Sequence, residues 1–378
     1  MDGKSEGKHK GPGHRSRIGV AVRAVVPLGL AVVVALGVGG GVDLVHHVQR
    51  PDPKPQSVSR PVKPGKGDKG AGGQKGTEPR YVVGVRRTGA ALVVRDLHTG
   101  DDVGLPVAAP QGQRFQRVAS EGDGSYVVAA AAPAPRSGVG TASASGSGAG
   151  KVTFQRLTLE EDGHPKDLEA IPRVSVPGAS TEWSDLAVGS DGDKIAYVTY
   201  SGTHSRMSVV SVETGARKTW TTRAPARISS LSWAGDTLSF VWNPLRTVAG
   251  KRVERTHQVR TLDTTGAGGD LKVSTPVLKL PKGSQAAVLS PDGMTVVTTV
   301  TDGAQVAVQA YSVTTGKPTE VLWEQKAETL VAHHEGPEVA RLDPDPTGDH
   351  YLATGGDGRL FSQNVGAVPA ADLTDAAW

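Results

Sequence analysis

Asp96-Leu97-His98-Thr99-Gly100, Ser211-Val212-Glu213-Thr214-Gly215, Leu262-Asp263-Thr264-Thr265-Gly266 and Ser312-Val313-Thr314-Thr315-Gly316 repeat one phrase, a strand running into a Thr-Gly turn. Weaker copies end at Gly163 and Gly366, and the six glycines stand 63, 52, 51, 50 and 50 residues apart. A second phrase keeps step with the first. Gly122-Asp123-Gly124, Ser190-Asp191-Gly192, Gly235-Asp236, Ser290-Pro291-Asp292-Gly293 and Asp345-Pro346-Thr347-Gly348 each precede an apolar run such as Ile195 to Thr199 or Val296 to Val300. Asp and Gly supply tight turns, and β-branched runs between them supply strands. No segment from Tyr81 onward carries a helical period. A period near 50 residues with four strands per unit marks a β-propeller blade. An all-β domain of six blades is therefore expected over residues 81–378.

Each blade reads as an inner strand a, the Asp-Gly turn, strand b, a variable loop, strand c, the Thr-Gly turn and an outer strand d. Ser290-Pro291-Asp292-Gly293 entering a Val-rich strand, and Gly355-Gly356-Asp357-Gly358-Arg359-Leu360-Phe361, closely resemble the blade turns of WD40-like and TolB-like bacterial propellers. The resemblance covers Tyr81 to Trp378 and implies a propeller fold without naming a ligand. The chain enters blade 1 directly at Tyr81 to Val85, so that blade lacks its own inner strand. Asp372 to Trp378 resembles the inner strand Ile228 to Trp233, and the C-terminus is expected to complete blade 1 and remove the open edges.

Composition limits the chemistry. With 37% hydrophobic and 4% aromatic residues, the core must be built from Val, Ala and Leu. The absence of Cys excludes disulfides, thiolate metal sites and a thiol nucleophile. The net charge of +4 belongs to the leader: residues 1–42 and 43–80 each carry a surplus of four bases, which leaves the propeller at −4 and argues against a nucleic-acid partner.

The leader itself divides in three. Residues 1–23 form a basic tail. Ala24 to Val42 is an uncharged, mostly Val, Leu, Ala and Gly stretch of 19 residues, long enough as a helix for one membrane span. The basic flank places the N-terminus in the cytoplasm and the propeller outside. A cleaved signal peptide is the alternative. Residues 43–80 form a linker whose stretch from residue 49 holds six Pro, six Gly and eight bases, a composition that cannot build a core.

The loops of the b–c and d–a connections share one face of the disc. Elaboration is confined to that face, with Pro133 to Gly150 inserted in blade 2 and Asn243 to Thr256 in blade 4, which marks it as the contact surface. Its candidate contact residues are Arg86, Arg87, His204, Arg246, Lys251, Arg252, Arg255, His333 and His334. Familiar chemistry fails on spacing. Gly146 to Lys151 is one residue short of a phosphate loop, His334-Glu335 lacks the second His of a zinc helix, and Asp343 to Asp349 begins a calcium loop whose twelfth position is Thr354. No cofactor and no metal are expected. The expected function is non-catalytic binding of a protein or an anionic envelope polymer, the alternative being a lyase or lactonase with a channel-lining site. The inner strands, with few ionisable side chains, favour binding.

Overall fold

The Thr-Gly phrase works through two local bonds. The glycine N–H reaches back to the carbonyl four residues earlier (Gly100 to Asp96, 2.8 Å; Gly215 to Ser211, 2.9 Å; Gly316 to Ser312, 2.8 Å). The threonine hydroxyl accepts from the amide two residues on, at 3.2 Å for Asp101 and Ala216. All three glycines sit at φ of 66–76°, which a side chain would strain. In Ser290-Pro291-Asp292-Gly293, Asp292 accepts from Met294 N at 2.9 Å and Ser290 Oγ from Thr295 N at 2.9 Å, so the turn delivers the chain into the next strand.

These turns join six antiparallel sheets in a computed structural model that describes residues 78–133, 150–302, 305–326, 339–345, 350–355, 359–362 and 366–378. The basic tail, the expected membrane helix, the linker as far as residue 77, the interior of the blade 2 insertion, His333 and His334 lie outside them. Among the described residues no helix is long and apolar enough to cross a membrane.

Blade 1 is Leu373–Ala377, Tyr81–Arg86, Ala91–Asp96 and Asp102–Ala108, in that spatial order. Blade 2 is Arg114–Gly122, Ser125–Ala131, Lys151–Leu159 and Pro165–Pro177. Blade 3 is Leu186–Val188, Lys194–Ser201, His204–Ser211 and Arg217–Thr221, and blade 4 is Ala226–Ala234, Thr237–Val248, Gln258–Asp263 and Thr275–Lys279. Blade 5 is Ala287–Leu289, Thr295–Asp302, Gln305–Ser312 and Pro318–Lys326, and blade 6 is Val339–Pro344, Tyr351–Gly355, Arg359–Ser362 and Gly366–Pro369. The inner strands adjoin one another in ring order, which makes the domain a six-bladed propeller.

The C-terminus closes the ring as expected. Ala377, Ala376 and Asp375 pair with Val83, Gly84 and Val85, and Trp378 is buried between blades 6 and 1. Because neighbouring residues of a strand point to opposite sides, each sheet feeds two interfaces. Val83 and Val94 pack toward blade 2, whereas Val82 and Val93 pack toward blade 6. Six apolar clusters result, one for each blade junction, built mainly of Val, Ala and Leu.

Two expectations about blade 4 need correction. Asn243 to Thr256 is an ordered two-stranded ribbon, since Thr237–Val248 runs on to pair with Lys251–Glu254. Ala249 and Gly250 both have positive φ, 49° and 77°, the geometry of a two-residue hairpin turn, which Ala-Gly does not advertise as Asn-Gly would. The fourth Thr-Gly turn is also not tight. From Thr264 the chain crosses to the outer edge of blade 3, where Gly269–Asp270 pairs with Trp220 and Thr221, before returning to Thr275–Lys279.

Candidate functional site

Among the described residues the two faces of the disc carry opposite charge. The described tight turns bear Asp101, Asp123, Glu160, Glu161, Asp162, Asp191, Asp193, Glu213, Asp236 and Asp292, with Lys317 among few bases. The described loops of the other face bear Arg87, Arg223, Arg246, Arg255 and Lys282 against Glu182, Glu254 and Asp372. The chain enters on the acidic face, where Leu97 N donates to Arg80 O at 2.9 Å and Arg80 pairs with Asp96 at 2.6 Å.

The residues singled out in the sequence fall in different places. Arg86 ends strand b of blade 1 and is engaged by Asp102 and Asp372, beside the buried Arg95 that bridges the same two carboxylates at 2.8 and 3.0 Å. Its charge therefore serves ring closure. Arg87 is exposed and donates to the Ala371 carbonyl, at 2.9 Å from Nε. His204 is exposed, its Nδ1 3.3 Å from Thr222 O. Arg246 and Arg255 are exposed on the blade 4 ribbon, and Lys251 and Arg252 occupy its second strand.

The inner strands are poor in ionisable residues, as expected, but the few present gather at the channel: Asp375, Arg117, Asp185, Arg341 and Asp343 converge there from four blades. Asp375 of blade 1 accepts from Val118 N of blade 2 at 2.8 Å and takes both oxygens to Arg341 Nη1 of blade 6, at 2.9 and 2.8 Å. Asp185 of blade 3 accepts from Leu231 N of blade 4 at 3.0 Å and from Leu186 N at 2.9 Å. Ser230 of blade 4 accepts from Ala287 N of blade 5 at 3.3 Å. Arg117 of blade 2 donates to the Ser184 and Glu182 carbonyls leading into blade 3. Blades 1, 2, 3, 4 and 6 thus each use one side chain beside the channel to satisfy a backbone or ionic group of the next blade.

Deeper, Asp343 is 3.5 Å from Arg341 Nη2, and its Oδ2 is buried with no hydrogen-bond partner among the described residues. Burial pushes this carboxyl up to about 6; Arg341 opposes the shift, while Asp375 and Asp185 add to it. Burial alone would lower the Arg341 guanidinium, but Asp375, Asp343 and Asp185 raise it overall and keep it charged.

On the basic face the channel opens into a cavity of about 600 Å³. Arg87, Arg114, Arg117, Arg227, Arg341 and Arg359 line it against Glu182, Asp185 and Asp375, a positive excess. Arg227 links the mouth to the ribbon, with Nη1 3.4 Å from Glu254 Oε1. Glu254 is held by His257 Nε2 at 2.7 Å, and His257 Nδ1 faces Ser284 O at 2.5 Å. A ring with both nitrogens toward acceptors must carry both protons. Consistently, the bond to Glu254 raises His257 and the bond to His257 lowers Glu254.

No protein-family model and no curated protein matches the chain. Among solved structures it is similar to TolB from Acinetobacter baumannii, at 13% identity and TM-score 0.44 over 79% of this chain and 65% of that one. It is similar also to the β-propeller domain of Myceliophteria thermophila Cps50 (14%, TM-score 0.37, 67% of this chain and 65% of that one). A third is an oligogalacturonate lyase in complex with manganese (13%, TM-score 0.42, 73% of this chain and 70% of that one). The likeness is one of fold, so function must be argued from the residues of the site.

Proposed function

We propose that this protein is a non-catalytic binding module, held outside the cell by an N-terminal membrane span over residues 24–42, that presents its basic face to an anionic partner of the envelope. The observation that carries the reading is the segregation of charge between the faces, with six arginines against three carboxylates at the channel mouth on the side away from the point of chain entry. Two of the convergent carboxylates also favour binding over catalysis. Asp375 and Asp185 spend their oxygens on Arg341, Val118 N, Leu186 N and Leu231 N, so neither is left as a base for a substrate.

The test is capture of radiolabelled envelope polymer and envelope protein fractions on the full chain and on two charge-reversed variants. Arg246→Glu with Arg255→Glu on the ribbon should weaken capture, and Asp123→Lys with Asp292→Lys on the tight turns should not. Equal sensitivity of both pairs would contradict the assignment of the face. Turnover of a uronate or lactone substrate by the wild type, lost in a mouth variant, would favour the lyase or lactonase alternative.

A further inference from the structure

The channel mouth is charged on one arc and hydroxyl-lined elsewhere. Arg87 of blade 1 and Arg114 of blade 2 are neighbours, because Phe115 N donates to Gly89 O at 2.8 Å and fixes the blade 1 turn against the start of blade 2. Among the described residues neither guanidinium is paired with a carboxylate. Arg87 donates to a carbonyl, and Arg114 makes no ion pair among the described residues. In the neck below, Arg117 and Arg341 are already saturated by backbone carbonyls and Asp375. Anion binding therefore falls to the rim.

The rest of the lining restricts what the anion is attached to. The apolar residues are covered: Phe115, Leu360, Ala370 and Leu373 are at most 5% exposed. A protein partner gains most of its affinity by burying aromatic or aliphatic anchors in open apolar pockets, and this floor offers none. It offers hydroxyls from Thr88, Thr181 and Thr374, the Gln116 amide and the half-buried Trp183, whose ring meets Tyr200 edge-on at 5.8 Å. Hydroxyl and amide groups with one indole suit a polyhydroxylated ligand. The volume matches a small-molecule or chain-end site, which typically holds about 300–1,000 Å³.

We infer that the mouth binds the end of an acidic glycan. Its carboxylate or phosphate lies on Arg87 and Arg114, which read planar oxyanions bidentately, and its sugar hydroxyls lie against the threonines and Trp183. This inference rests on the reading of the basic face as the binding face.

Titration calorimetry on the full chain tests it with four probes: a hexuronate tetrasaccharide, a sugar-phosphate oligomer, a neutral tetrasaccharide and tetraglutamate. At least one acidic glycan should bind, the first two telling carboxylate from phosphate, and the neutral sugar and tetraglutamate should bind about tenfold more weakly or not at all. Arg114→Gln and Arg87→Gln should each weaken the acidic glycan by about tenfold, and Lys317→Gln, exposed on the tight-turn face, should leave it within about twofold. Tetraglutamate binding as tightly as the glycans, or glycan binding indifferent to both rim substitutions, would overturn the inference. Failure of both acidic glycans to bind, with capture of envelope polymer still dependent on Arg246 and Arg255, would sink the inference alone. Loss of that dependence would sink the reading beneath it.

Discussion

The acidic face and the basic face of the disc terminate the same strands by different means. On the acidic face most of the described connections are closed locally, by a glycine in the left-handed region and a threonine or aspartate bonding within two to four residues, the blade 4 excursion from Thr264 being the exception. On the basic face the ends are closed by partners from other blades, with Asp375, Arg117, Asp185 and Arg341 stitching neighbouring inner strands around the channel. Local closure makes the first face tolerant and interchangeable. Closure through buried charge makes the second face intolerant at its neck, and it leaves the rim outside the neck free to carry a ligand.

The largest effects should come from the neck and the strand that supplies it. Deleting Asp372 to Trp378 removes both Asp375 and the buried Trp378. The loss of the Trp alone is on the order of 3 kcal/mol or more, out of a total stability of about 5–15 kcal/mol. The truncated chain should aggregate or melt far earlier in thermal unfolding by circular dichroism. A wild-type melting curve would refute closure by the C-terminus. Next in size is Asp375→Asn, which leaves the buried Arg341 guanidinium without its main counter-charge and should cost about 3–5 kcal/mol in urea unfolding. The same change at Asp123, exposed in a tight turn, should stay within about 0.5 kcal/mol. Equal costs would erase the contrast between the faces.

Asp343→Asn sharpens it in the other direction. The carboxyl has a pKa near 6 in the fold against an ordinary 3.8. The folded state therefore holds its proton more tightly, and the stability this supplies is complete below about pH 4 and is lost as pH rises through 6. The variant should be more stable than wild type by about 1–3 kcal/mol at pH 8 and indistinguishable at pH 4. A variant that is less stable at pH 8 would show that the ionised Asp343 is needed by Arg341.

The smallest expected effect belongs to the ribbon. His257 is raised above its ordinary 6.5 and Glu254 lowered below its ordinary 4.5. The histidine contributes fully below 6.5 and fades as pH climbs through its raised value, whereas the glutamate contributes fully above 4.5 and fades as pH falls through its lowered one. The pair should thus hold the ribbon best between about pH 4.5 and 6.5, with His257→Gln costing below about 1 kcal/mol there and nothing near pH 9. A flat difference across that range, followed by urea titration, would remove the latch.

The fold was largely legible because its turns are local chemistry. Thr99-Gly100, Thr214-Gly215 and Thr315-Gly316 carry their hydrogen bonds within five residues, so their spacing counts the blades, and the likeness of Asp372–Trp378 to Ile228–Trp233 anticipates ring closure. The neck was not legible. Its residues are scattered singly through the sequence, and Asp375 meets Val118 and Arg341 only after the ring has closed. The ribbon was hidden by an Ala249-Gly250 turn without the usual Asn or Asp. Of the candidate contact residues, Arg87 lines the mouth and Arg246 and Arg255 are exposed on the ribbon, whereas Arg86 is engaged by Asp102 and Asp372. Arg114, adjacent to Arg87 through the Gly89–Phe115 bond, went unnoticed because it opens an inner strand 27 residues later in the chain.

The central claim, that the basic face is where the partner binds, is tested most directly by hydrogen–deuterium exchange of the full chain with and without a saturating acidic oligosaccharide. Slowed exchange should be confined to peptides covering Arg87–Ala90, Arg114–Arg117, Thr181–Asp185 and the blade 4 ribbon, with the tight turns at Asp101, Asp123, Asp191 and Asp292 unchanged. Protection at those tight turns with none at the channel mouth would contradict it.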